Sequence, residues 1–239
     1  MPSSVASRAG PFAAAVGHLS AGGLLAFPTE TVWGLGADAR SSEAMARLRR
    51  WKGDRDGRPV SILVEGIEAL TRLGFELPPA GRVLAERFWP GPLTLVVPAP
   101  PAVAKGFARG VAGADGAVGL RCSSDPTAAG LARELARAGA GPITATSFNR
   151  HGDPPARSLA AARELGRQSP GPELLVPAEI SGAAAGSCGA PSTVVECRGV
   201  LRVIREGAIP ARALAQAGIA ELETPNATTL ATPTGEAVR

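Results

Sequence analysis

Histidine, cysteine and tyrosine are scarce in this sequence of 239 residues, which contains two histidines, three cysteines and no tyrosine. The cysteines are odd in number and form no Cys-x-x-Cys pair, so neither a zinc cage nor a disulfide framework is expected. A Gly-x-Ser-x-Gly elbow, a Walker loop and a dinucleotide fingerprint are also missing, which argues against the common triad hydrolases, P-loop proteins and Rossmann proteins. Any chemistry must therefore depend on Arg, Lys, Ser, Thr, Asn and backbone groups, which bind anions and polar ligands.

Long apolar runs are missing as well. The longest, from about Pro92 to Ala104, is interrupted by prolines and is too short to span a bilayer. The N-terminal apolar stretch follows a single Arg8 and is interrupted by Gly17 and His18, which argues against a secretory signal. We therefore expect a cytoplasmic protein with no membrane partner.

The composition, 45% hydrophobic and 19% charged, is that of an ordinary globular protein, and the length favours one domain. Apolar periodicity, caps and turn residues predict helices at 11–20, 41–51, 67–73, 80–88, 126–138 and 159–165. They predict strands at 24–27, 60–64, 93–97, 117–121, 143–146, 174–176, 193–197 and 201–205. Since the closing strands have no helices between them, we predict an α/β (α+β) domain with a twisted mixed sheet flanked by helices. Residues 219–239, rich in Thr, Ala and Pro, are expected to form a flexible tail.

Positive charge is concentrated in one segment. Of the 25 basic residues only Lys52 and Lys105 are lysines, and six basic residues lie between Arg47 and Arg58, together with two carboxylates, Asp54 and Asp56. Such a field favours a polyanionic ligand such as a nucleotide or RNA, although a solvated helix face is the ordinary alternative.

Polar segments recur where predicted strands end. They are 29–36, 53–58, 121–124 and 147–152. Ligand sites of open α/β sheets gather at such strand ends, so we expect these segments to form one site.

Six motifs occur in one order along the chain: GGLLAFPTETVWGLGADA (22–39), FWPGPLTLVVPA (88–99), VGLRCSSDP (118–126), PITATSFN (142–149), PSTVVE (191–196) and VIREGAIP (203–210). Together they resemble the motifs of the YrdC/TsaC family, the threonylcarbamoyl-adenylate synthases. The resemblance covers residues 9–210, which implies one YrdC-like catalytic domain preceded by an extension at 1–8.

The resemblance implies a nucleotidyltransferase that makes threonylcarbamoyl-AMP and pyrophosphate from L-threonine, bicarbonate and ATP, with Mg²⁺. Its product would serve the modification of tRNA at position 37, which implies a functional link to a threonylcarbamoyl transferase and to tRNA itself. Because carbamate and nucleotide are both anions, the task is to neutralise charge and hold geometry, and no histidine or cysteine base is needed.

The resemblance to the family motifs implies a site with two parts. The residues implied to bind L-threonine are Thr31, Arg121, Ser147 and Ser192, with Arg121 expected to hold the carboxylate bidentately. Those implied to bind ATP are Lys52, Arg55, Asn149 and Arg205, and the catalytic role would fall to Lys52 and Arg121. Each also has an ordinary structural alternative: a turn threonine, a lysine at a helix C-terminus, a strand-end ion pair, a capping turn or a surface arginine.

The sequence departs from the family pattern at Trp33, Asp54, Asp125, Phe148 and Pro191. Since Lys52 and Pro59 keep the family spacing, Asp54 stands where an arginine is usual, and we expect Asp54 to turn outward or pair with a cation while Arg55 meets the phosphates. Arg58 is the competing phosphate ligand. Two other hypotheses stay open: a divergent paralogue acting on another amino-acid or carbamoyl compound, and a non-catalytic RNA-binding module that uses the basic segment.

Overall fold

The computed structural model describes residues 12–54, 57–168, 174–175, 189–217 and 222–223. Their helices are α1 (Ala13–Ser20), α2 (Ser42–Lys52), α3 (Ile67–Leu73), α4 (Pro79–Phe88), α5 (Pro101–Lys105), α6 (Pro126–Arg137), α7 (Leu159–Arg167) and α8 (Ala211–Ala215). Their strands are β1 (Leu24–Phe27), β2 (Gly34–Gly36), β3 (Ser61–Leu63), β4 (Leu93–Pro98), β5 (Ala117–Arg121), β6 (Thr144–Ser147), β7 (Leu174–Leu175), β8 (Thr193–Cys197), β9 (Leu201–Arg205) and β10 (Leu222–Glu223).

The strands join in one sheet with the order β10-β9-β8-β4-β5-β3-β6-β2-β1-β7. The sheet contains parallel pairs such as β3/β5 and β4/β8 and antiparallel pairs such as β4/β5 and β2/β6. The predicted mixed sheet flanked by helices is therefore confirmed.

Two apolar clusters hold the helices to the sheet. The larger packs residues of α2, α3 and α4 against the central strands, with Met45, Leu48 and Leu84 among its buried side chains. The smaller packs α1 and α6 against β1, through Leu19, Leu131 and their neighbours. In the part of the chain that the structure describes, no helix has the length and hydropathy needed to cross a membrane.

The predicted elements recur with boundaries shifted by a few residues, and four short elements were not predicted: β2, α5, α8 and β10. β2 reads Gly-Leu-Gly, which carries no alternation of polar and apolar residues. Its Gly34 is required by packing, because a Cβ there would lie 2.8 Å from the Phe27 ring. Leu222–Glu223, inside the expected tail, pairs with β9. The described residues do not include 1–11, most of 219–239, or the last residue of the predicted strand 174–176.

Candidate active site

One face of the sheet forms the floor of a cleft of about 840 Å³. The cleft is lined by residues from β2, β3, β4, β5, β6, β8 and β9, and by loops that precede or follow these strands. Five of the predicted site residues line it: Thr31, Arg121, Ser147, Ser192 and Arg205. The sheet order thus brings together side chains that are up to 174 positions apart in the sequence. Of the four polar segments expected to form one site, 29–36, 121–124 and 147–152 contribute to the lining, whereas no described residue of 53–58 does.

The loop between β1 and β2 contributes a pair of buried threonine hydroxyls. Thr29 Oγ1 donates to the carbonyl of Val32 at 2.6 Å, so its single proton is used. Thr31 Oγ1, at 2.9 Å from Thr29 Oγ1, must then be the donor of that contact. The two hydroxyls are held in fixed orientations before any ligand arrives.

Arg121, at the end of β5, faces this loop. Its Nη2 donates to Glu30 Oε1 at 3.0 Å, to Thr29 Oγ1 at 3.2 Å and to Thr31 Oγ1. Its Nε is buried and has no hydrogen-bond partner among the described residues. A bidentate contact with a substrate carboxylate needs Nη2 together with a second nitrogen, so it would compete with Glu30.

Glu30 belongs to the site but is not among the residues that the family motifs implied. One carboxylate oxygen accepts from Arg121, and the other accepts from the hydroxyl of Ser123, which follows β5. Glu30 therefore ties the two loops together and holds Arg121 in place. The signal in the sequence was the acidic residue inside Thr-Glu-Thr, opposite the polar segment 121–124.

A second hydroxyl cluster lies at the entrance to β8. Ser192 Oγ is 2.9 Å from Thr94 Oγ1 of β4. Arg205, at the end of β9, donates through Nη2 to the Ser192 carbonyl at 2.8 Å and to Ser192 Oγ at 3.3 Å. The backbone at Gly207 passes close to the backbone of Pro191 and Ser192. A glycine is needed there, since a Cβ would lie 2.2 Å from the Pro191 carbonyl oxygen.

Burial and a neighbouring charge both act on Arg205. Burial, and to a lesser degree the charge of Arg121, lowers the pKa of Arg205 from its usual value. An arginine stays protonated despite such a shift, so the effect is an unrelieved positive potential. An anion bound between Arg121 and Arg205 would relieve it.

The turn after β6 carries Ser147 and Asn149. Ser147 Oγ donates to Asn149 Oδ1 at 2.6 Å, which leaves the serine oxygen as an acceptor toward the cleft. Asn149 Nδ2 donates to the carbonyls of Arg150, at 2.9 Å, and Asp153, at 2.7 Å. Asn149 is thus engaged within the turn and is not among the residues that line the cleft.

Lys52, the last residue of α2, lies behind the same turn. Its side chain is buried, and it too is absent from the cleft lining. Burial lowers the pKa of Lys52 to about 8, although the nearby Asp54 carboxylate opposes that shift. The structure therefore places Lys52 and Asn149 together, beside the cleft rather than in it.

The structure describes only part of the segment 54–58, in which Asp54 was expected to turn outward or pair with a cation and Arg55 to meet the phosphates. Asp54 is in an ion pair with Arg49, with 3.4 Å between Oδ2 and Nη1, in line with the expectation that it pairs with a cation. Arg55 and Asp56 lie outside the described residues, so the assignment of Arg55 to ATP stays a prediction. Arg58 is exposed beside Pro59, which lines the cleft.

The far end of the cleft carries a ladder of alternating charges. Arg198 bridges Asp115 and Glu196, and Glu196 also accepts from Arg202 at 2.6 Å. Burial raises the pKa of Glu196, but the hydrogen bonds from Arg202 and Arg198 outweigh burial and hold it below its usual range. This end is balanced in charge, and Arg121 is paired with Glu30, so the excess of positive charge in the described lining lies at Arg205 and Arg157.

The two thiols that the structure describes play no part in this arrangement. Burial raises the pKa of Cys122 to about 11 and that of Cys197 to about 12, so both are unreactive thiols at neutral pH. Cys188 lies outside the described residues. Among the described residues, no group of three or more His, Cys, Asp or Glu side chains is placed to hold a metal ion.

The fold and the cleft define an α/β protein whose arginines and hydroxyls at strand ends are suited to anionic, polar ligands. Comparison with known proteins gives the family. A model of the Sua5/YciO/YrdC family, described as "Telomere recombination", matches residues 18–207. The chain belongs to this family.

Named relatives cover most of the chain. It is 35% identical to a putative threonylcarbamoyl-AMP synthase of Mycobacterium tuberculosis H37Rv over 204 residues, 84% of this chain and 86% of the relative. It is 34% identical to the threonylcarbamoyl-AMP synthase of Thiobacillus denitrificans over 167 residues, 68% of this chain and 82% of the relative.

A solved relative shares the fold. Sua5 of Pyrococcus abyssi, in complex with L-threonine, superposes with a TM-score of 0.69 at 30% identity over 89% of this chain. The present chain spans only 58% of the length of that Sua5 chain.

Proposed function

We propose that this protein is a threonylcarbamoyl-AMP synthase. It would condense L-threonine, bicarbonate and ATP into threonylcarbamoyl-AMP and pyrophosphate. The observation that carries the proposal is the cleft itself, in which Arg121, Arg205 and fixed hydroxyls converge without a histidine or a reactive thiol among the described lining residues. Family membership and the names of the relatives support it.

The chemistry matches this set of side chains. The threonine amine and bicarbonate form a carbamate and water, and a carbamate oxygen then attacks the α-phosphorus while pyrophosphate leaves. Both partners are anions, so donors fixed in advance lower the barrier by neutralising charge and aligning the attack. No side chain has to accept a proton in the second step.

We assign the two ends of the positive region to different substrates. Thr31, Arg121 and Ser192 would hold threonine, with Ser147 accepting a hydrogen bond from the amine or the carbamate N–H. Arg205 would meet the phosphates of ATP, together with Arg55. Glu30 would keep Arg121 oriented toward the threonine carboxylate.

Magnesium would enter with ATP. The carboxylates that line the described cleft, Asp115 and Glu196, are already paired with arginines. Since Mg²⁺ commonly keeps several waters and binds through substrate phosphates, we expect the triphosphate to supply its main ligands. We further propose that the protein acts in the cytoplasm and passes its product to a threonylcarbamoyl transferase acting on tRNA.

The test is a pyrophosphate-release assay with purified protein, ATP and Mg²⁺. We expect release only when L-threonine and bicarbonate are both present, and threonylcarbamoyl-AMP should appear by mass spectrometry in equal amount. L-serine and L-valine, which each lack one feature of threonine, serve as matched control substrates.

Other outcomes identify the alternatives. Release that ignores threonine but responds to another amine would indicate a divergent paralogue. No release, combined with salt-sensitive tRNA binding, would indicate an RNA-binding module. The structure weakens that second alternative, because Arg47 and Arg49 of the basic segment are paired with Glu43 and Asp54.

A further inference from the structure

The ammonium group of Lys52 is fully used inside the protein. Its Nζ donates to the carbonyl of Ser147 at 2.7 Å, to the carbonyl of Asn149 at 3.1 Å and to Asn149 Oδ1 at 3.2 Å. An ammonium has three donors, and three acceptors are in place. Its side chain is only 9% exposed. A phosphate could reach this group only by displacing bonds that the turn already makes.

The same turn is attached to the end of α2 at other points. The backbone N–H of His151 donates to the Lys52 carbonyl at 2.7 Å. Trp51 stacks on Phe148 with 5.0 Å between ring centroids, and the Arg150 guanidinium lies 4.3 Å from the centre of the Trp51 ring. The helix end and the turn therefore form one rigid unit, with Lys52 at its centre.

This unit determines where Ser147 points. Asn149 Oδ1 accepts both from Lys52 Nζ, at 3.2 Å, and from Ser147 Oγ, at 2.6 Å. Lys52 thus orients the amide that orients the serine hydroxyl, and Ser147 lines the cleft. Loss of the lysine would remove the bonds to the Ser147 carbonyl and to Asn149 Oδ1 and leave the Asn149 amide held only through Nδ2. The serine hydroxyl would then be held less firmly as an acceptor.

We infer that Lys52 is a positioning residue, which orients Ser147 through Asn149 for the substrate amine, and that it does not bind the phosphates of ATP. The assignment of Ser147 to the threonine side rests on the proposed function. The assignment of Lys52 away from the phosphates rests on the hydrogen bonds and burial alone.

The first experiment uses the fact that the chain has only two lysines. The native protein is treated with formaldehyde and a borane reductant, with and without ATP·Mg²⁺, and dimethylation is read by peptide mass spectrometry. Lys105, which is exposed at the end of α5, is the internal control. We expect Lys105 to react and Lys52 to be protected equally with and without ATP, whereas both should react in urea.

Two results would overturn the inference. If Lys52 reacts in the free protein and becomes protected by ATP, it is a phosphate ligand open to solvent. If Lys52 reacts both with and without ATP, it is not held by the turn. Binding of ATP itself is measured in parallel by calorimetry, so a protein that binds no ATP counts against the proposed function rather than against the protection of Lys52.

The second experiment separates the two roles by kinetics. Lys52→Gln removes the charge and keeps a hydrogen-bonding side chain, and Lys105→Gln is the matched control. We expect Lys52→Gln to raise the KM for threonine by roughly tenfold and to change the KM for ATP less than twofold.

A double-mutant cycle tests whether Lys52 acts on threonine binding through Ser147. Ser147→Ala should reproduce the change in the threonine KM, and the double variant Lys52→Gln/Ser147→Ala should be no worse than either single variant. A selective rise in the KM for ATP, or additive effects of the two substitutions, would show that Lys52 acts on the nucleotide. Circular dichroism and thermal unfolding establish that each variant is folded.

Discussion

At the residue scale, the cleft illustrates how an arginine can be oriented by an internal carboxylate. The Arg121–Glu30 pair is largely buried, with side chains 10% and 15% exposed. A buried pair of this kind contributes little net stability, but removing one partner leaves the other charge uncompensated. Glu30 holds the Arg121 guanidinium at the cleft, and a substrate carboxylate bound bidentately would replace Glu30 on Nη2.

The first prediction concerns the division between the two arginines. Arg121→Ala should chiefly raise the KM for threonine, and Arg205→Ala should chiefly raise the KM for ATP. Each loss should correspond to about 1.5–3 kcal/mol, the usual value of a hydrogen bond to a charged group. Steady-state kinetics with each substrate varied in turn provide the measurement, and identical defects in the two variants would contradict the division.

The second prediction follows from the pKa of Lys52. Because burial lowers it from 10.5 to about 8, the unfolded protein binds more protons than the folded protein between these two pH values. The free energy of unfolding contributed by this group must therefore rise with pH between about 8 and 10.5. Urea unfolding of wild type and Lys52→Gln at pH 7 and pH 9.5 gives the comparison.

The difference between the two proteins is the quantity to measure. The buried Cys122 and Cys197 have raised pKa values, so unfolded thiols ionise first and stability falls above about pH 9. Both proteins contain these thiols, and their effect cancels. Wild type should gain stability relative to Lys52→Gln as pH rises, whereas Lys105→Gln should show no such trend. A constant difference would mean that the folded Lys52 titrates normally.

At the scale of elements, three of the described helices begin where short polar side chains replace missing backbone partners. Ser41, Asp125 and Ser158 cap α2, α6 and α7 by accepting from backbone N–H groups of the first turn. Asp125 accepts from both Thr127 and Ala128, and Pro126 occupies the first helical position, where no N–H is needed. The departure from the family pattern at Asp125 is thus explained by local helix formation.

The third prediction tests that cap. Asp125→Ala should lower the free energy of unfolding by about 1–2 kcal/mol, because two N–H groups at a buried helix end lose their acceptor. Asp125→Asn, which keeps the acceptor oxygen, should recover most of the loss. Chemical denaturation reports the difference, and Ser158→Ala, at a more exposed cap, should cost less. Equal stability of Asp125→Ala and wild type would contradict the capping role.

At the scale of the whole molecule, the sheet order brings distant segments together. β4 and β5 lie between β8 and β3, so the loop before β8 and the loop after β5 reach the same cleft. Thr94 of β4 contacts Ser192 directly, 98 positions away. The helices cover the rest of the sheet through two apolar clusters and leave this one concave face open.

The sequence predicted more of the fold than of the site. Caps and apolar periodicity are local signals, and strands such as β5, β8 and β9 were predicted with their observed bounds. The short elements β2 and α5 carry no period and were not predicted. The family motifs indicated five residues that line the cleft: Thr31, Arg121, Ser147, Ser192 and Arg205. They could not distinguish a residue in the cleft from one behind it.

By itself, the sequence determined the chemistry that is available: arginines and hydroxyls, two lysines, inert thiols, and a mixed sheet with polar strand ends. Tertiary structure alone decided which of these groups meet a ligand. Lys52 is buried against the turn that carries Asn149 because three carbonyl-type acceptors converge on its ammonium group, and Glu30 became part of the site because the loop after β1 folds over Arg121. Such contacts depend on the relative placement of strands far apart in the sequence, and local patterns do not encode it.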